Sequence, residues 1–325
     1  MLRRLEPSYK TVIFSVLFLL SLWFIYQIKD IIFMVFVAVI LMSALNPAVD
    51  KLEKHRLPRS LAIALLYLVL WIVLGTLIAF IVPGVVSQTT RLIQVVSTGF
   101  SHIDFLTAHQ QDISQQLISY LGSLPSDLLQ LLVNFFNNVI TVLTTIVISF
   151  YLTLEHKNLD FYLAKLINPQ KSEPILTTLE MIEQRLGSWV RGELVLMTSI
   201  GIFTYLGLTV LGVDIALPLA ILAGLMEIIP NIGPIISALP AVLIAWTIHP
   251  LLALSTVALY FLIHFLENNF LVPKIMQKAV GVHPLISILA LLIGFRILGP
   301  LGAVLGIPLV IILQVVLQQK HLIPE

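Results

Sequence analysis

Hydrophobic residues in this chain come in long unbroken runs. Thr11 to Ile28 is apolar almost throughout, and Ser60–Thr90, Leu128–Leu154, Leu194–Val213 and Ile228–Leu266 contain no Asp, Glu, Lys or Arg. About 20 apolar residues carry a helix across the hydrocarbon of a bilayer, so each tract holds at least one membrane span. In the first half the predicted spans are 11–28, 31–46, 60–82 and 131–154. Two amphipathic stretches interrupt this pattern. Leu106, Ile113, Leu117, Tyr120, Leu121 and Leu124 recur at helical spacing amid Gln, Ser, His and Asp, which predicts a helix within an insert at 83–130. In the segment 155–192, Ser172 stands as a helix cap with Pro174 in the first turn, followed by an apolar stripe of Leu176, Leu179, Ile182, Leu186 and Trp189. That helix either packs on the bundle or lies at the membrane surface.

The second half is apolar but broken. A span at 193–211 leads to two short pieces, 215–229 and 235–248, separated by the sequence PNIGP. Fifteen helical residues cover only about 22 Å, so the pair forms either a re-entrant hairpin or two tilted crossings. After a span at 251–270 comes a second broken pair, 285–295 and 301–317, separated by RILGP. Gly233-Pro234 followed by Pro240 in the first pair resembles Gly299-Pro300 followed by Pro308 in the second. Short, Gly/Pro-interrupted segments in corresponding positions of two inverted halves are a sequence pointer to a transporter's binding site.

Composition turns this pattern into a fold class. Of 325 residues 58% are hydrophobic and 11% charged, with a mean hydropathy of +1.03, far from the balance of soluble domains. The expected fold is an all-α, polytopic helical integral membrane protein. The first apolar segment lacks a small-residue cleavage site and reads as a span, not a signal peptide. With no cysteine, disulfides, thiolate nucleophiles and cysteine metal sites are excluded.

Charge supplies an orientation. Of the 18 Lys and Arg residues, all but Lys29, Arg91 and Arg296 fall on one side of the predicted spans. The positive-inside rule makes that side cytoplasmic, with both termini there. The opposite insert carries Arg91 against Asp104, Asp112 and Asp127. The same bookkeeping places the two broken pairs in opposite orientations.

Candidate chemistry gathers at the breaks. Pro230 and Pro234 remove amide donors and free upstream carbonyls, which lipid cannot hydrogen-bond. Glu227 lies one turn before them, and an ionisable residue at membrane depth is a functional candidate by default; the alternatives are an interfacial position or a packing partner on a neighbouring helix. Asn231 can donate to and accept from a hydroxyl-rich solute, or simply cap the break. On the next span Tyr260, His264, Glu267 and Asn268 recur about one turn apart and make a polar stripe, although Glu267, Asn268 and Asn269 also suit the end of a span. Arg296 stands before the second break, placed to neutralise Glu227, bind an anionic group, or snorkel to the interface. Zinc-protease, nucleophile-elbow and nucleotide-loop motifs are absent, and His264 with Glu267 gives only a bare HxxE. No enzyme, cofactor, metal or nucleic-acid reading is supported.

The runs EIIPNIGPIISALPAVLIA, ENNFLVPKIMQKAVGVHPLI and GPLGAVLGIPLVIIL, preceded by WVRGELVL, resemble the AI-2E transporter family, also called the PerM family, in content, order and spacing over about 186–317. The resemblance implies an inner-membrane permease of about eight transmembrane helices that assembles as a homo-oligomer, a pentamer by family expectation. It implies a role for Pro230, Gly233, Pro234 and Pro240 at the first break, Glu267 and Pro273 after it, and Pro284, Gly299, Gly302 and Pro308 at the second. The family is named for export of autoinducer-2, and members are also associated with sodium/proton antiport.

The expected organisation is therefore N-terminal scaffold spans (1–82), an extracytoplasmic insert (83–130), a span (131–154), a cytoplasmic segment (155–192) and a transport domain (193–320) with broken elements at 213–249 and 284–318. The leading expectation is a secondary transporter or exporter of a small polar solute, working by alternating access. A monovalent cation/proton antiporter and a non-transporting scaffold or sensor are the alternatives.

Overall fold

The computed structural model describes residues 9–73, 75–76, 79, 139–158, 161–162, 165, 169–213, 215–230, 232–276 and 284–320. Among the described residues every regular element is helical, as an all-α polytopic membrane protein requires. The amphipathic insert at 83–130, and Asn231, lie outside the described residues.

Helix α1 (Tyr9–Gln27) is apolar all round, and every side chain from Ile13 to Gln27 is exposed in the single chain. A helix with that composition is covered by lipid or by other protein. Helix α2 (Lys29–Lys54) carries Asp30 in its first turn and Lys51 and Lys54 in its last, complementing the helix dipole. Arg56, at φ 69°, ends it. The Leu57 N–H reaches the Leu52 carbonyl (3.4 Å) and the Arg56 N–H reaches that of Glu53 (3.0 Å), closing the helix with a left-handed residue.

Helices α3 (Arg59–Val73) and α4 (Val139–Glu155) pack on one side of α2, around Val49, Ala62, Ile63 and Tyr67. On its other side α2 meets α5 (Pro169–Val210), a single helix of 42 residues. The amphipathic segment and the following span, expected as separate elements, are thus continuous: Pro174 lies near the start of the helix, and no proline follows it up to Val210. Ser172 lies inside the helix and not at its cap. Leu186 and Trp189 pack against Ile40, Ile307 and Ile311, which places this half of the apolar stripe in the bundle.

The α2–α5 crossing has a local cause. Pro47 has no N–H to offer the Ser43 carbonyl one turn upstream. The Arg191 guanidinium donates to that carbonyl instead, at 3.4 Å. Gly187 makes the approach possible, since a Cβ there would collide with the Ser43 oxygen.

Helix α5 begins an up-and-down bundle. It ends at Gly212 (φ 76°), where the Val213 N–H bonds Leu208 and the Gly212 N–H bonds Thr209, both at 3.0 Å. Helix α6 (Ala216–Met226) runs back along α5, with Gly224 against the Met197 carbonyl and Gly201 against that of Ala220. Helix α7 (Gly233–Ile248) folds back on α6, so that Leu219 and Ala223 share a core with Ala241 and Ile244. His249 reverses the chain again, its Nδ1 accepting the Leu251 N–H at 3.1 Å, and Pro250 opens α8 (Pro250–Leu266). A wider π turn over Glu267–Leu271 and the short α9 (Val272–Met276) follow.

The last element, α10 (Pro284–Lys320), is a helical hairpin. Gly299 (φ 65°, ψ −149°) breaks it, and beyond the break Gly302 lies against Gly294 and Gly306 against Ala290, an antiparallel pairing. The limb 284–298 spans about 22 Å, short of the roughly 30 Å of hydrocarbon. Among the described residues, length and composition alone make 285–319 one of 4 helices able to cross a membrane, but its backbone doubles back. The two hairpins point in opposite directions. The α6–α7 hairpin has its base at the Gly212 and His249 turns, whereas α10 ends beside the other end of α5, where Arg185 donates to Gln318 at 2.9 Å.

Candidate functional site

The tip of the α6–α7 hairpin is built by two prolines and a glycine. Pro230 offers no N–H to the Met226 carbonyl; the Ile229 N–H takes it at 3.1 Å, and Gly233 packs onto the same oxygen so closely that a Cβ would overlap it. Pro234 leaves the Pro230 carbonyl, which accepts the Ile232 N–H at 2.8 Å. The freed backbone groups are therefore satisfied within the tip. What the tip holds is Glu227, 1% exposed.

Two other carboxyls reach the same level. Pro273 cannot donate to the Asn269 carbonyl, and the turn before it widens, the Val272 N–H bonding Glu267. This turn buries Glu267, 2% exposed, and leaves Asn268 and Asn269 exposed. The predicted polar stripe is thus split: Tyr260 and Glu267 face inward, His264 is half-buried, and Asn268 faces out. Glu193 on α5, 4% exposed, is brought alongside by the close α5–α6 packing at Gly201 and Gly224.

Glu227 and Glu267 face each other, and Glu193 lies near enough to both to interact electrostatically. Glu267 also meets His264 Nδ1 at 3.3 Å, and Asn268 Nδ2 lies 3.0 Å from His264 Nε2. Glu227 Oε2 and Glu193 Oε1 have no hydrogen-bond partner among the described residues, nor has the Tyr260 hydroxyl one turn-pair before Glu267. No Lys or Arg among the described residues pairs with the three glutamates. Arg191, two residues from Glu193, is turned to the Ser43 and Ala44 carbonyls (3.4 and 3.5 Å). Among the described residues no group of three His, Asp or Glu side chains is arranged to hold a metal ion.

Of the residues expected to form a site, Glu227, Pro230, Gly233, Pro234, His264 and Glu267 come together here. Pro273 acts on the site through the π turn while itself exposed, and Pro240 lies half-buried further along α7. The second break is a different object. Gly299 and Pro300 form a hairpin tip flanked by exposed Ile297 and Leu298, and Gly302 and Pro308 are buried in helix packing. Arg296 is exposed and forms no ion pair with Glu227.

Glu193 escaped the sequence reading because it sits directly before the charge-free tract 194–213, where a carboxylate reads as the boundary of a span. Only the fold of α6 along α5 reveals its burial. The usable signal was the small-residue spacing Gly201…Gly224, which permits close helix approach.

A family model described as AI-2E family transporter matches residues 12–321. YueF of Bacillus subtilis, provisionally named as a transport protein, is 29% identical over 307 residues, covering 88% of this chain and 83% of its own. YrrI of the same organism, named in the same way, is 26% identical over 305 residues (89% and 86%). The AI-2 transport protein TqsA of Escherichia coli K12 is 29% identical over 303 residues (87% and 83%).

Proposed function

The chain belongs to the AI-2E transporter family, and from that premise we propose that it is a secondary transporter that exports a small polar solute of the autoinducer-2 type across the bacterial inner membrane. Membrane transport is the role that the family and the long apolar helices support. The observation that carries the site assignment is Glu227: a carboxyl 1% exposed, at the tip of a broken hairpin, with one oxygen unpartnered. A buried polar atom without a partner costs roughly 1–3 kcal/mol. A solute hydroxyl donating to that oxygen recovers the cost, so the site gains by being occupied. Alternating access would move the α6–α7 and α10 hairpins against a scaffold of α2–α4, and the bare surface of α1 suits assembly into a homo-oligomer. Both termini would lie in the cytoplasm.

The test is efflux from vesicles reconstituted with the full chain and loaded with autoinducer-2. Efflux above protein-free vesicles, reduced at least about tenfold by Glu227→Gln, is expected; tenfold equals about 1.4 kcal/mol, the scale of one such hydrogen bond. Efflux no faster than in empty vesicles would remove the solute assignment, and undiminished efflux in the variant would remove the site.

The burial of Glu227 beside Glu267 favours one second reading, a monovalent cation/proton antiporter in which these carboxyls exchange a proton for the ion. Sodium-evoked proton release from dye-loaded vesicles, lost in Glu227→Gln, separates it from the first.

A further inference from the structure

We propose that Glu193 is a third proton-carrying residue of this site, so that the protein moves its solute or ion in exchange with protons held by Glu193, Glu227 and Glu267 together. The proposal rests on the assignment of the α6–α7 tip as the transport site and adds a residue on a separate helix and the species that neutralises the cluster.

The geometry supplies the argument. Glu227 and Glu267 bring two almost fully buried carboxyls together at the hairpin tip. Glu193 enters from α5, is 4% exposed, faces both, and leaves Oε1 without a partner. A carboxylate in such surroundings is tolerated only when something neutralises it. Among the described residues every neighbouring element is a candidate to supply a cation, and none does. From α8 and the π turn come Tyr260, which is neutral, and His264, which meets Glu267 and not Glu193. Within α5 Arg191 is committed to backbone carbonyls of α2. In α9 Met276 and Ile275 face Gly192, and Lys274 is exposed; in α10 Arg296 is exposed. The three carboxyls also do not converge as metal ligands do. A proton needs neither a basic neighbour nor a convergent shell, and it can leave when the hairpin tip opens to water.

Glu193 belongs to the helix that is anchored to α2, whereas Glu227 sits on the hairpin tip. Tip movement therefore changes the distance between carboxyls and with it how many protons the set retains. That is a physical means of tying proton release to a conformational step.

The test reads protons and not transport, so it stands apart from the solute assignment. Infrared spectra of the purified full chain in D2O are followed from acid to alkaline pH, using the carbonyl band of protonated carboxyls. At neutral pH the wild type is expected to show that band, to lose it in more than one step because interacting groups titrate as a set, and to lose roughly a third to a half of it in Glu193→Gln, according to whether Glu227 and Glu267 hold two protons or one. Glu193→Asp should restore the band, which a merely structural role would not require. A band of equal intensity in wild type and Glu193→Gln overturns the proposal, as does a wild-type titration in a single one-proton step, which needs no variant to fold. Absence of the band at neutral pH also overturns it, since a bound cation would then be the neutralising species. If the band behaves as expected but vesicles move no solute or ion, the transport assignment of the tip fails and the proton cluster stands.

Discussion

Two polar clusters in this molecule differ in how far solvent reaches them and in how their charges are met. At the Lys-rich end of the helices, Arg59 of α3 donates to Asp50 (2.9 Å), Glu53 (3.2 Å), the Asn46 side chain (2.8 Å) and the Thr153 carbonyl (2.8 and 3.1 Å). Lys157 adds two bonds to Glu53, and Glu183 of α5 accepts from Asn46 at 2.6 Å and pairs with His156. Every acid here has a base or a donor. About 15 Å further along α5, Glu193, Glu227 and Glu267 have, among the described residues, His264 as their one basic neighbour, and two of their oxygens have no hydrogen-bond partner there. A saturated network fixes the helices it joins. An unsaturated one is stable only to the extent that the surrounding fold holds it, and it gains from whatever binds. The first cluster suits a scaffold, and the second suits the transport site proposed above.

The widest separation between them is expected on truncating one residue in each. Arg59→Ala strands Asp50 and Glu53 and leaves the Asn46 and Thr153 oxygens without their donor, at a cost of about 2–3 kcal/mol after allowance for the solvent that reaches both acids. Glu227→Met removes an unpaired buried carboxyl and replaces it with an apolar side chain of similar volume, an exchange that is neutral or stabilising by about 1 kcal/mol. Thermal unfolding in detergent should therefore fall for the arginine variant and hold or rise for the methionine variant, whose transport is lost. If Glu227→Met unfolds as readily as Arg59→Ala, Glu227 is a structural residue and the contrast disappears.

Most of one cluster and little of the other was legible in the sequence. The break at Pro230 and Pro234 announces itself, because proline in a charge-free tract must be compensated, and Glu227 stands beside it. Glu267 carried the same mark through Pro273, which widens the turn that buries it. The scaffold network left no such trace: Asn46, Arg59, Thr153 and Glu183 are scattered over four helices, each unremarkable where a span meets water. The two breaks also looked equivalent. Their Gly-Pro pairs do predict two hairpins of opposite direction, but sequence likeness could not show that the tip at Gly299 is flanked by exposed aliphatic residues while the tip at Glu227 is buried among acids. That distinction depends on what lies opposite, and α5 and the π turn line the first tip with Glu193 and Glu267.

An intermediate effect tests whether the scaffold network reaches α5. Glu183 joins that helix to α2 through Asn46 and to the segment after α4 through His156. Glu183→Gln keeps an acceptor of the same shape and removes the charge, so a loss of about 1 kcal/mol is expected, with transport retained. Transport falling as far as it does in Glu227→Gln would show that the two clusters act as one along α5.

The smallest effect is a pH dependence confined to the scaffold. His156 follows α4 outside the membrane-spanning helices, and the hydrogen bond it donates to Glu183 is the main influence holding its pKa above the ordinary 6.5, against an opposing contribution from burial. A histidine whose folded pKa lies above its unfolded value contributes stability that is fully present below the unfolded pKa and is lost as pH rises through the folded one. The pair should therefore stabilise the protein most below pH 6.5, with its contribution fading above that value as His156 loses its proton. Wild type and His156→Gln should accordingly differ most in Tm at mildly acidic pH, by less than about 1 kcal/mol for a pair that solvent partly reaches, and converge on alkalinisation. A difference that widens with pH would mean that neutral histidine is the form the network holds.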